Sequence, residues 1–266
     1  MKRRKDILKS SRKIKRKGAL SKIFIWAGAV FLFLLIISGL LYLPYFKIQK
    51  ISISGNNFLE TKMIITEVQD FLARKNLFIV PQDNILLLSK KILKSDLLNK
   101  FPRAEAISIN KNLPHEISIN ITERKQEALF CGSQSNSQCA FIDENGYIFE
   151  NAPYFSDNLY LKFFDERSET ASIGKNILTQ DKFRNLISFK NLLSQENIKI
   201  FKINLEKEGI YKLSTDAGWL IMLNEQNEPN LTFENLKITL NKIGNKQNIL
   251  DYIDLRFGNK VYYKFK

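Results

Sequence analysis

The sequence predicts an α+β protein in which a single transmembrane helix is followed by a β-α-α-β-β module and then a mixed β-rich module with two or more helices. Three observations lead to this fold class. Residues 23–46 form an uncharged apolar run, apolar and polar residues alternate at several places beyond it, and apolar residues recur at helical spacing between those places. The 266 residues correspond to about two folded domains.

The first feature along the chain is a basic tail over residues 1–22. It holds eleven Lys or Arg residues and one acid, so it carries most of the formal net charge of +14. The rest of the chain keeps only about +4, which is too small a surplus for a globule that neutralises nucleic-acid phosphates. We therefore expect no nucleic-acid partner.

Residues 23–46 match the length of a membrane span, about 20 residues, and contain no charge. Trp26 near one end and Tyr42 and Tyr45 near the other suit the two membrane interfaces. A buried core helix and a cleaved signal peptide are the alternatives. A signal peptide has a shorter apolar region and small residues before its cleavage site, unlike residues 40–43. Because basic flanks stay in the cytoplasm, we expect residues 1–22 inside and residues 47–266 outside an inner (plasma) membrane.

The module predicted over residues 47–124 begins with strand-like alternation at 51–54 and a turn at 55–57. Two helices follow, the second running from Asn84 to the stop at Pro102. Strands are predicted at 106–110 and again after Pro114, where Ile117, Ile119 and Ile121 share one face. The residues that define the two helical faces are, for the first helix, Ile64, Val68, Phe71 and Leu72, and for the second, Ile85, Leu88, Ile92, Leu93 and Leu97.

The module predicted over residues 125–266 is richer in strands. A helix is expected over 179–195 with Thr179 as its N-cap, and a last helix is expected to end at Gly244. Strands are predicted at 198–204, 210–214 and 219–223, and a closing strand at 252–258. The layout of residues 150–175 stays open.

The chain resembles the FtsQ/DivIB family of bacterial cell-division proteins. The first module matches in its strand ending at Gly55-Asn56, its helical pair, and the stretch from Leu113 to Glu123-Arg124. The second matches in the stretch from Ala128 through Phe141-Ile142-Asp143 to Gly146, and in the late strand 253–257 with its following turn and Val261. The resemblance implies a membrane-proximal POTRA domain over 47–124 and an extracytoplasmic β domain over 125–266.

The sequence offers no pattern for catalysis, a cofactor or a metal site, and we expect none. His115, the one histidine, follows Pro114 near a turn, where a solvent-facing polar residue is the simpler interpretation. Cys131 and Cys139 match no zinc pattern. They flank a predicted hairpin loop on the exported side, so a disulfide is expected, with separate buried thiols as the alternative.

The remaining candidate site is the closing strand, predicted to lie at the edge of a sheet, where unpaired backbone groups accept an added strand. Tyr252, Asp254 and Arg256 fall on one face and Phe257 on the other. An ordinary closing strand without a partner is the alternative. The resemblance implies that this strand binds FtsB/FtsL-like division proteins: Arg256 would pair with partner carboxylates, Phe257 would add apolar contact, and Gly258 would allow close approach, with Val261 just beyond.

These inferences together predict a non-enzymatic divisome scaffold in the inner membrane, concentrated at the division septum. Its POTRA domain is expected to dock on other septal membrane proteins. A POTRA-containing protein of polypeptide secretion or outer-membrane assembly is the alternative.

Overall fold

The computed structural model describes residues 25–33, 39, 44–76, 80–132, 138–155, 159–166 and 172–266. The chain divides into two compact units. The first runs up to Asn56 and also holds Glu60–Ser95 and Ser108–Asn120. The second holds Asn57–Leu59, Asp96–Ile107 and Ile121–Lys266.

Residues 25–33 are helical and exposed. Over the described ranges, the structure contains no helix with the length and apolar character that a membrane crossing requires. The basic tail at 1–22 and much of the predicted span, residues 34–38 and 40–43, lie outside the described residues. The span and its orientation therefore stay predictions.

The elements up to residue 123 follow the predicted β-α-α-β-β order. The three long strands form a sheet in the order β1-β5-β4, with β1 parallel to β5. A short ribbon of β2 and β3, which the sequence analysis did not anticipate, lies between the helices in the chain. The bounds are β1 (Lys50–Ser54), α1 (Thr61–Ala73), β2 (Lys75–Asn76), β3 (Val80–Pro81), α2 (Lys90–Lys100), β4 (Ala104–Asn112) and β5 (Glu116–Glu123).

The apolar stripes of α1 and β5 are confirmed. The first buries Ile64, Val68, Phe71 and Leu72, and the second buries its three isoleucines at 117, 119 and 121.

The predicted start of the second helix is wrong. Asn84 Oδ1 accepts a hydrogen bond from the N–H of Leu86 at 2.8 Å, so Asn84 closes a local turn and α2 begins only at Lys90. Ile92, expected on the buried face, is exposed, whereas Leu93 and Leu97 are fully buried.

The second unit is built on a sheet of nine strands in the order β14-β13-β12-β11-β10-β9-β6-β7-β8. Residues 150–175, whose layout the sequence left open, supply the interior strand β9. The bounds are β6 (Ala128–Cys131), β7 (Ala140–Ile142), β8 (Ile148–Asn151), β9 (Leu161–Asp165), α3 (Gln180–Gln195), β10 (Ile200–Leu205), β11 (Ile210–Thr215), β12 (Leu220–Asn224), α4 (Pro229–Ile243), β13 (Leu250–Phe257) and β14 (Lys260–Phe265).

Helices α3 and α4 pack on one face of this sheet. Phe183 of α3 and Leu236 of α4 join Phe163 and Ile203 of the strands in one core, and alternate strand residues face the other way. The opposite face carries a smaller apolar cluster that includes Leu129, Cys131, Phe141, Phe149 and Ala152. We call it the open face.

Glu123 of the Glu123-Arg124 pair is a buried structural anchor within the second unit. Its carboxylate accepts hydrogen bonds from the backbone N–H groups of Asn57, Phe58 and Leu59 at 2.9–3.1 Å. Arg103 Nε also donates to it at 3.3 Å, and both charged side chains are only 6% exposed. Burial opposes ionisation, but these donors outweigh it and hold the pKa of Glu123 below its ordinary value.

Arg124 anchors the next segment in the same way. Its Nε donates to the carbonyl of Pro102 at 3.0 Å, and its guanidinium pairs with Asp143 and lies 4.1 Å from the centre of the Tyr147 ring. The other Asp143 oxygen accepts the backbone N–H groups of Asn145 and Tyr147, which fixes the turn before β8.

Candidate partner-binding edge

The hairpin of β13 and β14 closes the large sheet. β13 pairs in parallel with β12 and antiparallel with β14, so it is an interior strand. The prediction that residues 252–258 form the sheet edge is therefore wrong: the edge strand is β14. A turn was predicted after Phe257, and the chain does reverse there over two residues, but it then adds one more strand, β14, that was not predicted.

Gly258 provides that reversal. Its φ of +63° is a left-handed conformation that favours glycine at the start of a two-residue hairpin turn. Its carbonyl accepts a hydrogen bond from Asn235 Nδ2 of α4 at 3.2 Å. Gly258 thus shapes the turn, and the expectation that it allows close approach of another chain stays a prediction.

Arg256 and Asp254 form a bidentate pair within β13. Arg256 Nε and Nη2 donate to the two carboxylate oxygens at 2.9 and 2.6 Å. Burial would raise the pKa of Asp254, but the bonds from Arg256 outweigh burial and lower it. The same bonds raise the pKa of Arg256. Arg256 was expected to meet partner carboxylates, yet in this structure its charge is already matched inside its own strand.

The hairpin also exposes aromatic side chains. Phe257, Tyr262 and Tyr263 are 55%, 54% and 46% exposed, and the rings of Phe257 and Tyr262 meet edge to face with 5.6 Å between centroids. Tyr252 and Val261 are half-buried, and Val261 packs against the core. The six predicted residues therefore lie in one hairpin, but the two exposed tyrosines of the edge strand itself were missed.

Helix α4 borders the same edge. Leu231 and Ile238 of this helix are 53% and 52% exposed, and Asn235 between them holds the hairpin turn. Tyr263 is the register partner of the buried Ile253, so it lies on the helix side of the sheet. We define the C-terminal edge as β14 with Phe257 and the exposed apolar residues of α4. Among the described strands only β13 pairs with β14, which leaves the other side of β14 available to an added strand.

The other candidate residues are accounted for locally. Cys131 and Cys139, the predicted pair, form a disulfide with an S–S distance of 2.02 Å. His115 is exposed, and its backbone carbonyl accepts the N–H of Gln49 at 2.9 Å. Within the described ranges, no cluster of three or more His, Cys, Asp or Glu side chains is arranged to hold a metal ion.

Comparison with known proteins agrees with this architecture. Residues 46–124 match the family model described as POTRA domain, FtsQ-type. The protein named Cell division protein DivIB of Clostridium acetobutylicum is 26% identical over 228 residues, which cover 84% of each chain. That of Brevibacillus brevis is 26% identical over 140 residues, covering 53% of this chain and 48% of the relative.

Fold and comparison together define an α+β protein with an FtsQ-type POTRA domain and a β-rich C-terminal region. The similarity to a DivIB protein covers 84% of the chain and includes both of these parts in the same order. Residues 46–124 belong to the FtsQ-type POTRA family, and the chain as a whole is similar to DivIB cell-division proteins.

Proposed function

We propose that this protein is a non-enzymatic scaffold of the bacterial division machinery and that its C-terminal edge binds an FtsB/FtsL-type partner by strand addition. The observation that carries the proposal is the unpaired side of β14, flanked by exposed aromatic residues, in a chain whose relatives are named cell-division proteins. Main-chain hydrogen bonds would provide affinity, and side-chain pockets along the edge would provide specificity.

The geometry of the edge specifies what the partner strand should look like. Side chains on one face of an added strand would meet Tyr263 and, on the helix side of the sheet, Leu231 and Ile238 of α4. Side chains on the other face would meet Tyr262 and Phe257. Because both faces are apolar and aromatic, the partner strand should carry apolar residues at successive positions rather than a simple alternation with charges.

The Asp254–Arg256 pair sits beside this surface as a fixed polar feature. Asp254 is the register partner of Tyr262, so the ion pair borders the aromatic contact. A partner would meet a neutral pair rather than a free cation. We therefore assign the binding energy to the aromatic residues and the strand edge, and not to Arg256.

The rest of the proposal concerns location. The uncharged run 23–46 after a basic tail supports a single-pass anchor in the inner membrane with the two modules outside the cytoplasm. There the POTRA domain would dock on other septal membrane proteins. Binding at both ends would tether partners at the septum and so regulate wall synthesis without chemistry by this chain.

The direct test is a pull-down of an FtsB-like partner from the same organism with the full-length protein. Phe257→Lys places a charge in the exposed aromatic pair and should weaken capture at least ten-fold, whereas Leu159→Lys, at a residue 72% exposed outside the hairpin, should leave it unchanged. Equal capture by wild type and Phe257→Lys, with both proteins folded, would remove the C-terminal edge as the binding site.

A further inference from the structure

A second surface of the β-rich unit has the features of a binding site and is separate from the C-terminal edge. The open face of the sheet holds a cavity of about 550 Å³ beside the disulfide. Its lining is mainly apolar, and its volume falls in the range of about 300–1,000 Å³ that is typical of ligand sites. The lining includes Leu129, Cys131, Cys139, Phe155, Phe164 and one cation, Lys162.

Two lysines lie side by side next to this cavity, Lys162 in its lining and Lys202 on the neighbouring strand against Phe164. Lys162 on β9 and Lys202 on β10 are register partners, so their side chains lie next to each other on the open face. Like charges placed directly opposite in a sheet are unfavourable. Lys162 Nζ reaches only the carbonyl of Phe155, at 3.5 Å, and Lys202 Nζ lies 4.6 Å from the centre of the Phe164 ring.

Neither lysine forms an ion pair with a carboxylate in the described part of the chain. Elsewhere on the same face, cations are matched: Lys212 pairs with Glu206 at 2.5 Å, and Arg256 pairs within its own strand. A like-charge pair without such compensation, beside an apolar cavity, is the kind of local inconsistency that functional sites retain.

We propose that this cavity, with Lys162 in its lining and Lys202 beside it, binds an acidic peptide segment of a partner protein. An aromatic or aliphatic side chain would enter the cavity, and carboxylates next to it would meet Lys162 and Lys202. Tyr154, which is 93% exposed at the rim, offers the kind of aromatic contact that anchors such segments.

The shape of the open face favours an extended peptide over a compact anion. From Lys202 the register leads across the sheet through Ser214 and Leu220 to Tyr252, in steps of about 4.8 Å. This row gives the continuing chain polar contacts at Lys202 and Ser214, followed by an apolar contact at Leu220 and an aromatic one at Tyr252. Phosphate alone would use the lysines but leave the apolar lining unoccupied.

The probe is a blocked, fluorescein-labelled octapeptide of alternating glutamate and phenylalanine, titrated with the full-length protein and followed by fluorescence anisotropy. Two peptides serve as controls, one of alternating lysine and phenylalanine and one of alternating glutamate and serine. The first peptide should bind at least ten-fold more tightly than either control, and added salt should weaken its binding.

The decisive variant is Lys202→Glu, because it separates binding from folding. It places opposite charges at the register pair, so the thermal midpoint should stay or rise while peptide affinity falls at least ten-fold. Lys242→Glu makes the same charge change at an exposed position of α4 and should leave the peptide affinity unchanged. Tyr154→Ser, at the exposed rim, should weaken binding without affecting the fold.

Several results would overturn the proposal. One is unchanged peptide affinity in folded Lys202→Glu. Others are equal binding of the lysine–phenylalanine or glutamate–serine peptide. Binding of sodium polyphosphate or of phosphatidylglycerol vesicles that is as tight as that of the acidic peptide, and that Lys202→Glu weakens to the same extent, would instead assign the lysines to an anionic polymer or a lipid surface.

Discussion

Replacing Glu123 by alanine removes the acceptor on which the buried anchor of the second unit depends. Three backbone N–H groups and the Arg103 guanidinium would lose their shared carboxylate at once, and Arg103 is only 5% exposed. Its remaining partner, Glu150, is 43% exposed in its side chain and so is in contact with water. The variant therefore leaves the buried charge of Arg103 without full compensation.

The magnitude follows from this burial. Removing one partner of a buried ion pair costs about 3–5 kcal/mol of unfolding free energy. For a protein of this size each kcal/mol lowers the thermal midpoint by about 2–4 °C, so Glu123→Ala should lower it by about 6–20 °C. Trp219, which is 3% exposed in the core of the second unit, reports unfolding by fluorescence once Trp26 is replaced by phenylalanine.

Two matched variants make the result interpretable. Glu123→Gln keeps a side-chain oxygen for the backbone donors and should lose clearly less stability than Glu123→Ala. Glu105→Ala removes an exposed carboxylate of β4 and should change the unfolding free energy by less than about 0.5 kcal/mol. A midpoint for Glu123→Ala within 2 °C of that for Glu105→Ala would refute the reasoning, by the same size scaling of about 2–4 °C per kcal/mol.

Three further predictions concern acid, the disulfide and the hairpin turn. Folding lowers the pKa of Glu123 and of Asp254, so the stability that these carboxylates contribute is present above the unfolded pKa of about 4 and is lost as the pH falls through the folded pKa. Thermal midpoints measured at pH 7, 5, 4 and 3 should therefore fall most at the acid end. The fall should be less steep for Glu123→Gln. Cys131→Ser removes the disulfide to Cys139 and should lower the free energy of unfolding in urea by about 2.5 kcal/mol relative to the oxidised wild type. The reduced wild type is the control and should have the same free energy of unfolding as the variant. Equal stability of the variant and the oxidised wild type would contradict the prediction. A Cβ added by Gly258→Ala would meet no atom within 4 Å, so the expected loss of about 1 kcal/mol in unfolding free energy should come from the positive φ alone. Gly258→Asn should lose less. Equal stability of the wild type and the two variants would contradict this.

The spacing of apolar residues correctly predicted the helices that bury one face. Ile64, Val68 and Phe71 are buried in α1 as their spacing indicated, and α4 ends at Gly244, whose positive φ suits a helix end. The sequence failed where a side chain bonds locally. Asn84 resembles a helix cap, but its side chain closes a turn instead, and nothing in the apolar spacing distinguishes the two.

The position of a strand within its sheet depends on residues far apart in the chain, and the sequence predicted strand order least well. β9 pairs with β6 and β10, which lie far from it in the chain, so residues 150–175 carried no readable signal for an interior strand. The edge was misplaced by one strand for the same reason. The run from Tyr262 to Phe265 was the available signal, since a terminal aromatic segment after a Gly-Asn turn is typical of a hairpin strand.

The sequence predicted where the candidate site lies better than it predicted what each residue of the site does. Tyr252, Phe257 and Val261 do lie in one hairpin. The pairing of Arg256 with Asp254 was not predicted, although side chains two positions apart in a strand lie on the same face and are therefore neighbours. That pairing was readable from spacing alone. The exposure of Tyr263 beside α4 was not, because it requires the packing of a distant helix.

The most direct test of the account is to follow a full-length fluorescent fusion in dividing cells of the source bacterium. Wild-type protein should concentrate in a band at the septum as division proceeds. A signal that stays uniform around the membrane, or in the cytoplasm, through the whole cell cycle would contradict the proposed role in division.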